Sequence, residues 1–276
     1  MIIAHVTDLH ATSVSRLALG LVNTNDLMRR ALAVIAALDP RPDLILVSGD
    51  IAHGGDPEGY GEASEALRSC EIPAFCVPGN HDTPQGFRSF LAMIGQDNGH
   101  APKLCGMIDC GAVRVIGLDS TLPHSGAGGL CDATLEWLDA TLASAPTRPT
   151  LLMMHHPPFS CGVSYMDTIR LCGGAARLEE IAGRHPQILA LLCGHHHRDI
   201  ATLVGGRPCY VTPALAYQVS LALDAAVPGS WIMEPSAFRL LRWDGTRLIS
   251  HLVYTGDFGG PRRFGEAAPA AALSSA

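Results

Sequence analysis

Short apolar runs alternate along the chain with segments in which apolar side chains recur every three or four residues. The runs have the length of buried strands, and the segments between them have the period of amphipathic helices. Five runs stand out because a histidine, aspartate or asparagine follows each within a few residues, and they occupy residues 2–6, 44–47, 74–77, 151–154 and 188–192. The pattern predicts an α/β protein with helices packed on the faces of its sheets.

Helix-start signals place five helices between these runs. The predicted helices begin at an N-cap of Asn23 or Thr24, at Pro57, at Pro84, at an N-cap of Asp132 or Thr134, and after Gly173-Gly174. Serine, threonine, aspartate and asparagine side chains cap helices, and proline is tolerated in the first turn. Residues 111–118, 237–243 and 247–254 alternate instead like antiparallel strands, and a hairpin around residues 243–246 joins the last two.

The chain divides into three parts. The alternation of strands and helices fills residues 1–212, which we take as the main domain. Residues 213–236 are irregular and are predicted to form a cap or lid segment, which a closing hairpin follows; the cap and the hairpin together occupy residues 213–264. Residues 265–276 are small and polar and predict a flexible tail.

Composition narrows the function classes. The formal charge of −7 argues against binding of a nucleic-acid polymer, because that binding needs a basic surface. The sequence has neither an 18-residue apolar stretch nor an export signal after Met1, so we expect no membrane association. The nine cysteines are odd in number and several lie in strand-like runs, which favours reduced thiols in a cytoplasmic protein.

The polar residues after the five runs form short clusters. They read Asp8-x-His10, Gly49-Asp50, Gly79-Asn80-His81-Asp82, His155-His156-Pro157-Pro158 and Gly194-His195-His196-His197. In open α/β sheets the strand ends meet at one edge, where ligands bind. Carboxylates and imidazoles crowded there would be unpaired or repel one another without a cation, so the pattern predicts a site for two metal ions.

Each residue type suits this chemistry. Asp8 and His10 can reach one cation, and Asp50 can bridge two cations through its two oxygens. Asn80 is a neutral oxygen ligand that leaves its ion a strong Lewis acid. Strand alternation allows only one of His155 and His156 to reach the ions, and it removes His196 from between His195 and His197. Two such ions could bind a phosphate oxygen and activate water for attack on phosphorus.

In order and content, the five clusters resemble the signature of the calcineurin-like metallophosphoesterases, most closely that of class III cyclic nucleotide phosphodiesterases and bacterial glycerophosphodiesterases. The resemblance covers residues 8–197. It implies a four-layer αββα sandwich of two mixed sheets, with the 1–212 part as catalytic domain. It also implies that one ion is held by Asp8, His10, Asp50 and His197, and the other by Asp50, Asn80, His156 and His195.

The resemblance further implies that His81 protonates the leaving group or donates to a phosphoryl oxygen, and that Asp82 orients His81. The implied activity is hydrolysis of small phosphodiesters, either 3′,5′-cyclic nucleotides or glycerophosphodiesters, by a metal-bound hydroxide. The ions would be drawn from Fe, Mn, Co and Zn, all of which accept such ligands. We also expect a homo-oligomer, a dimer or larger.

Alternative interpretations remain open at this point. The same family includes phosphomonoesterases and phosphonate esterases, and scaffolds without catalytic metal are a more remote alternative. The segment around Tyr217, Trp231 and Glu234 could control access to the site or form an oligomer contact. His196 is expected to point outward or to lie behind the ligands. Lone histidines are usually surface or hydrogen-bonded residues, so six are left without a role: His5, His53, His100, His124, His185 and His251.

Overall fold

The computed structural model of the protein describes residues 1–99 and 101–265. His100 and, apart from Gly265, the predicted 265–276 tail lie outside the described residues. The helices are α1 Thr24–Ala36, α2 Pro57–Ser69, α3 Pro84–Ile94, α4 Asp132–Ala143, α5 Ser164–Ile169 and α6 Ala175–Arg184. The strands of the first half are β1 Ile2–Val6, β2 Leu44–Ser48, β3 Ala74–Val77, β4 Gly106–Cys110, β5 Val113–Leu118, β6 Gly128–Gly129 and β7 Thr150–Met154. Those of the second half are β8 Leu171–Gly173, β9 Ile188–Cys193, β10 Ile200–Val204, β11 Arg207–Val211, β12 Gln218–Val219, β13 Trp231–Ile232, β14 Ala237–Trp243 and β15 Leu248–Tyr254.

Two mixed sheets form the centre of the protein. The first has the strand order β15-β14-β1-β2-β3, and the second has the order β10-β11-β9-β7-β5-β4. In the first sheet β1, β2 and β3 run parallel, whereas β14 pairs antiparallel with β1. In the second, β5, β7, β9 and β11 run parallel, and β4 and β10 are antiparallel edge strands. The prediction of two mixed sheets is confirmed.

Three apolar clusters separate four layers. One cluster joins inward side chains of both sheets, such as Leu46 of β2 and Met153 of β7, so the sheets pack face to face. A second lies between the first sheet and α1, α2 and α3. A third lies between the second sheet and α4 and α6. This order of helices, sheet, sheet and helices is the predicted αββα sandwich.

Most predicted helix starts agree with the structure. The Asn23 side chain accepts from the amide of Asp26 and caps α1, and α2 and α3 begin at the predicted prolines. Helix α4 differs, because Asp132 is its first residue rather than its cap, and the cap position is taken by Cys131, whose side chain makes no capping hydrogen bond. The predicted hairpin of 237–243 and 247–254 is β14 and β15, which extends the first sheet through β1.

Residues 213–236 contain little regular structure beyond the antiparallel pair β12 and β13. All nine cysteines are free thiols, and five of them are buried. Within the described ranges, no helix combines the length and the apolar character needed to cross a membrane.

His5 gives the fold a pH dependence. Its imidazole is fully buried in β1 and hydrogen-bonds to Ser48 Oγ and Thr212 Oγ1, each at 2.8 Å. Burial, aided by the Arg239 charge, lowers the pKa of His5 from 6.5 to about 3. Between about pH 6.5 and pH 3 the unfolded chain therefore binds a proton at His5, whereas the native state does not. The free energy of unfolding consequently falls as the pH falls through this range.

We expect His5→Gln to remove that contribution. Between pH 7 and pH 4.5 the variant should lose about 2 to 3 kcal/mol less free energy of unfolding than the wild type. Urea unfolding of both proteins at the two pH values measures the difference. An equal loss in both proteins would mean that His5 does not stay neutral in the native state.

Candidate metal centre

The ends of five strands meet at one edge of the sandwich, as the sequence predicts. The polar residues after β1, β2 and β3 of the first sheet face those after β7 and β9 of the second. A hydrogen bond of 3.0 Å from the amide of His195 to Asp8 Oδ2 joins the two sheets directly. The chain turns sharply here, because five of the nine described non-glycine residues with positive φ belong to the predicted ligands: Asp8, His10, Asp50, His195 and His197. Such backbone is costly and concentrates at functional sites.

Two glycines make this close approach possible. A Cβ on Gly79 would lie 2.2 Å from Asp50 Oδ1, and one on Gly194 would lie 1.9 Å from Thr7 Oγ1 and 2.8 Å from Asp8 Oδ2. No side chain is compatible with these distances. The glycines that precede Asn80 and His195 therefore allow the loops to pack against the carboxylates.

A first cluster consists of Asp8, His10, Asp50 and His197. One ligand atom from each of the four lies within 4.8 Å of the others, and all four residues are buried. His10 Nε2 is 3.3 Å from His197 Nε2 and 3.6 Å from Asp50 Oδ2, and His197 Nε2 is 3.1 Å from Asp8 Oδ1. The structure thus brings together the four residues predicted for one ion.

A second cluster contains His155, His156 and His195, whose nitrogens also lie within 4.8 Å of one another. His155 Nε2 is 3.1 Å from Asn80 Oδ1 and 3.5 Å from Asp50 Oδ2. Asp50 therefore lies between the two clusters, where the sequence places a bridging carboxylate. The remaining predicted ligand, His195, directs Nε2 to the carbonyl of Ile169 at 3.0 Å, which leaves Nδ1 for other contacts.

The paired histidines differ from the prediction. His155, rather than His156, points at Asn80 and Asp50. His156 is occupied elsewhere, because its Nδ1 lies 2.8 Å from Ser120 Oγ and its Nε2 lies 3.2 Å from the carbonyl of Gly126. Since both of its ring nitrogens have protein partners, His156 offers no free lone pair to a cation. The geometry therefore favours His155 over His156 as the residue that faces the carboxylates.

The orientation follows from strand β7. Leu151 and Met153 face the other sheet, whereas Leu152 and Met154 face the helices. Side chains alternate along a strand, so residue 155 continues the face toward the other sheet and residue 156 the opposite face. His155 accordingly reaches the first sheet, where its Nδ1 donates to the carbonyl of Ser48 at 2.7 Å.

Three imidazoles in the centre are held from behind. The Nδ1 atoms of His155 and His197 donate to the carbonyls of Ser48 and Tyr217, and the Nδ1 of His10 lies 3.2 Å from Nδ1 of His53. In each ring Nε2 then faces the carboxylates. Metal-binding histidines have this arrangement, because a partner at one nitrogen fixes the proton there and leaves the lone pair of the other free.

Charge is distributed unevenly among the buried groups. Burial would raise the pKa of Asp8, but the charges of His197 and His155 outweigh it and lower that pKa to about 2. Burial likewise opposes ionisation of Asp50, and the charges of His155 and His81 hold its pKa well below the usual range. The pKa of His156, by contrast, is lowered to about 3 by burial. The carboxylates are therefore ionised and His156 is neutral.

The residues fit a pair of cations. Asp8 Oδ1 is buried and accepts no hydrogen bond of good geometry from the described residues, which is costly for an ionised oxygen unless a cation contacts it. The donor set combines carboxylate oxygens, an amide oxygen and imidazole nitrogens, which suits Fe, Mn, Co or Zn. A cation between these groups would provide the contact that Asp8 Oδ1 lacks.

His81 lies beside this centre and is about one-third exposed. Its backbone amide donates to Asp50 Oδ1 at 2.8 Å, and its Nδ1 accepts from the amide of Gly54 at 3.3 Å. A neutral ring therefore carries its proton on Nε2, which is 4.0 Å from Asp50 Oδ2. This nitrogen can donate to a ligand held at the centre.

Asp82 has a different environment from the one expected. Its carboxylate accepts from the backbone amides of Gly79, Ile51 and Ala52, and the described residues include no hydrogen bond from it to the His81 ring. Burial and the charge of Asp50 raise the pKa of Asp82 to about 6. Asp82 thus ties the loop after β3 to the loop after β2, and its predicted action on the His81 ring has no contact to support it.

Two histidines were left open by the sequence. Of the two positions expected for His196, the outward one is excluded, because the side chain is 1 % exposed; neither ring nitrogen has a hydrogen-bond partner in the described part of the chain. His53, which the sequence left without a role, contacts His10 and stacks on His81 with ring centroids 5.2 Å apart. Its place three residues after Asp50 was the available signal.

Two clefts flank the centre and share three residues, Asn80, His81 and Gly126. The cap-side cleft, about 300 Å³, is walled by Tyr165, Tyr217 and Trp231. The loop-side cleft, about 740 Å³, lies between residues 80–88 and the 119–126 loop. Of the three cap residues singled out from the sequence, Tyr217 and Trp231 thus line the cleft beside the centre, whereas Glu234 pairs with Arg198 outside the cap-side cleft.

Known proteins with related sequences and structures agree with this geometry. The family model described as calcineurin-like phosphoesterase matches residues 1–199. A probable glycerophosphodiester phosphodiesterase GpdQ of Arcobacter nitrofigilis is 33% identical over 267 residues, which cover 96% of this chain and 97% of the relative. The 3′,5′-cyclic adenosine monophosphate phosphodiesterase CpdA of Escherichia coli is 32% identical over 252 residues, covering 88% of this chain and 86% of the relative.

A solved structure shares the fold. A dimetal phosphatase from Danio rerio superposes with a TM-score of 0.71 at 16% identity, covering 93% of this chain and 97% of that one. At this identity the likeness concerns the arrangement of the sandwich alone. Both sheets and their helices therefore have counterparts in a known architecture.

Proposed function

The chain belongs to the calcineurin-like phosphoesterase family, and on that premise we propose that it hydrolyses small phosphodiesters at a site for two metal ions. The observation that carries the proposal is the position of Asp50, which lies 3.6 Å from His10 in one cluster and 3.5 Å from His155 in the other. The relatives named above are phosphodiesterases of glycerophosphodiesters and cyclic nucleotides, and the match covers nearly the whole of this chain.

The proposed ligand sets follow the two clusters. One ion is assigned to Asp8, His10, Asp50 and His197, and the other to Asp50, Asn80, His155 and His195. His155 takes the place that the sequence gave to His156, for the geometric reason above. Bound cations of this kind polarise a phosphoryl group and make water a better nucleophile. Their identity is left open among Fe, Mn, Co and Zn.

The protein's own groups perform the remaining tasks. Asn80 adds no charge, so the centre keeps an attraction for an anionic diester. His81 holds a proton on Nε2 at the mouth of both clefts, where it can donate to a phosphoryl oxygen or to the departing alkoxide. Ser48, Tyr217 and His53 keep the imidazoles in place from behind.

His81→Ala is expected to keep its metal and to lose turnover unevenly. A leaving group of high pKa needs protonation, so hydrolysis of an alkyl diester should fall by about 10²–10⁴-fold. Hydrolysis of an activated p-nitrophenyl diester should fall far less. Comparing kcat for both substrates in wild type and variant tests this, and an equal loss on both would remove the proton-donor role.

The proposed function itself is tested by hydrolysis of bis(p-nitrophenyl) phosphate against p-nitrophenyl phosphate. The protein is first stripped with a chelator and then given Mn²⁺, with cyclic AMP and glycerophosphocholine assayed in parallel. We expect cleavage that depends on the metal and favours the diester. Preference for the monoester, or equal activity with and without metal, would contradict the proposal.

We further propose that the protein works in a reducing compartment such as the cytoplasm, which its nine free cysteines support. Oligomerisation stays a prediction.

A further inference from the structure

The loop-side cleft holds a basic side chain, Arg88, whose charge is not paired with any group in residues 1–99 and 101–265. Its lining includes two cations, Arg88 and Lys103, and two carboxylates, Asp82 and Asp119. The ammonium of Lys103 donates to the carbonyl of Thr121 at 2.8 Å and is 3.7 Å from Asp119 Oδ1. The ammonium of Lys103 is therefore already paired with groups that line the cleft.

The two carboxylates of this cleft also accept hydrogen bonds from neighbouring groups. Asp119 Oδ1 accepts from the amide and the hydroxyl of Thr121, and Asp82 accepts from three backbone amides. Arg88, on the exposed side of α3, has no hydrogen bond or ion pair with any residue of the described chain. Among the described residues, its guanidinium is therefore the unpaired cation of the loop-side cleft.

The loop-side cleft adjoins the metal centre, so the Arg88 guanidinium lies where part of a bound substrate could reach it. The loop-side and cap-side clefts meet at Asn80 and His81, where a phosphate would be held. An open-chain phosphodiester carries two separate alcohol arms on one phosphorus. A cyclic nucleotide has both ester oxygens on a single ribose and cannot send arms in two directions.

We propose that the loop-side cleft binds one arm of an open-chain phosphodiester, and that Arg88 favours an arm with an additional anionic group such as a carboxylate. The aromatic cap-side cleft takes the other arm. The proposal rests on the proposed diesterase function and narrows its substrate class. A guanidinium forms strong charge-assisted hydrogen bonds with carboxylates, which gives the discrimination its physical basis.

A matched pair of ligands tests the role of Arg88. Glycerophosphoserine is glycerophosphoethanolamine with one added carboxylate, and both can be measured as competitors of bis(p-nitrophenyl) phosphate hydrolysis, whether or not they are cleaved. In the wild type we expect the serine compound to compete about five- to tenfold more strongly. Arg88→Ala should bring that ratio close to one. Added salt should also reduce it, because exposed charges are screened.

Arg68→Ala serves as the control, since Arg68 is an exposed arginine of α2 that lines neither cleft. It should keep the wild-type ratio. A wild type without preference for the serine compound, or an equal ratio in all three proteins, would overturn the role of Arg88 while diesterase activity persists. Loss of bis(p-nitrophenyl) phosphate hydrolysis in the wild type would instead overturn the proposed function, and this assignment with it.

His53 contacts His10, one of the proposed metal ligands. Its Nδ1 is 3.2 Å from Nδ1 of His10, whose Nε2 faces Asp50 and His197. For Nε2 of His10 to bind a cation, the proton of that ring must be on Nδ1, so His53 must accept it. His53 is itself fixed by stacking on His81.

We infer that His53 is a positioning residue that orients His10 for metal binding. Loss of such an outer partner typically lowers metal affinity by about 10- to 100-fold. His53→Leu should show this loss in a calorimetric titration of the metal-free protein with Mn²⁺. In His53→Asn the amide oxygen can take the position of Nδ1, so affinity should return to within about threefold of the wild type.

The readout is metal binding, so it does not depend on turnover. His251→Leu, a substitution of an exposed histidine on β15, is the control and should bind Mn²⁺ like the wild type. Equal weakening in His53→Leu and His53→Asn would indicate a packing effect and overturn the inference. Unchanged affinity in both variants would overturn it too.

Discussion

Asp50→Ala is expected to reduce bound Mn²⁺ from two ions per chain to one or fewer and to abolish measurable diester hydrolysis. Asp50 Oδ2 lies between the clusters, 3.6 Å from His10 Nε2 and 3.5 Å from His155 Nε2, whereas Asp8 Oδ1 is 4.0 Å from His155 Nε2. Loss of an outer partner of a metal ligand lowers metal affinity by about 10- to 100-fold, and loss of a ligand shared by two ions should lower it further. We expect turnover to fall by at least about a thousandfold.

Metal analysis after dialysis and a single-turnover assay measure both parts of this expectation. Asp97→Ala, which removes an exposed carboxylate that lines neither cleft, is the control and should bind two ions. Circular dichroism verifies that Asp50→Ala folds. Two ions bound to folded Asp50→Ala would show that Asp50 does not bridge.

The second large effect separates the neighbouring histidines. His155→Ala should weaken binding of one of the two Mn²⁺ ions by more than about 100-fold and lower kcat accordingly, because its Nε2 faces Asn80 and Asp50. His156→Ala should change both quantities by less than about tenfold, because its nitrogens bind Ser120 and Gly126. The pair tests the orientation directly, since the substitutions are identical and adjacent.

Calorimetric titration and steady-state kinetics of both variants provide the comparison. Thermal unfolding should be recorded too, because each substitution empties space in a buried region. The reverse ranking, with His156→Ala more damaging to metal binding at equal stability, would restore the original prediction for this pair.

This pair also shows where inference from sequence stops. Alternation correctly predicts that His155 and His156 point in opposite directions. The choice between them requires knowing which face of β7 meets the other sheet. Because parallel strands buried on both faces are apolar throughout, Leu151 to Met154 carry no difference in polarity that would identify the face.

The strand ends, by contrast, could be predicted well. Each of the five apolar runs is a strand in the structure, and the bounds differ by no more than one residue. The polar residue that follows such a run must leave the apolar layers, so its place at the sheet edge follows from local pattern alone. Asp8, Asp50 and Asn80 were located in this way.

The positions of His53 and His196 are determined by contacts with residues distant in the sequence. His53 reaches His10 because the segment after β2 runs beside the segment after β1, with Ala52 paired to Ala11 and the amide of His53 donating to the carbonyl of Ala11 at 2.8 Å. His196 is buried because α5 and the segment before it cover that side of the site, with Phe159 close to its ring. Neither a short polar turn nor a middle histidine has a periodic pattern that would predict such packing.

The most direct test of the central claim is the anomalous scattering of manganese in crystals grown with saturating Mn²⁺. We expect two peaks about 3.5–4 Å apart, with Asp50 between them and His155, not His156, at the ion near Asn80. A single peak, or two peaks with Asp50 bound to only one of them, would contradict the account of a carboxylate-bridged pair of metal ions.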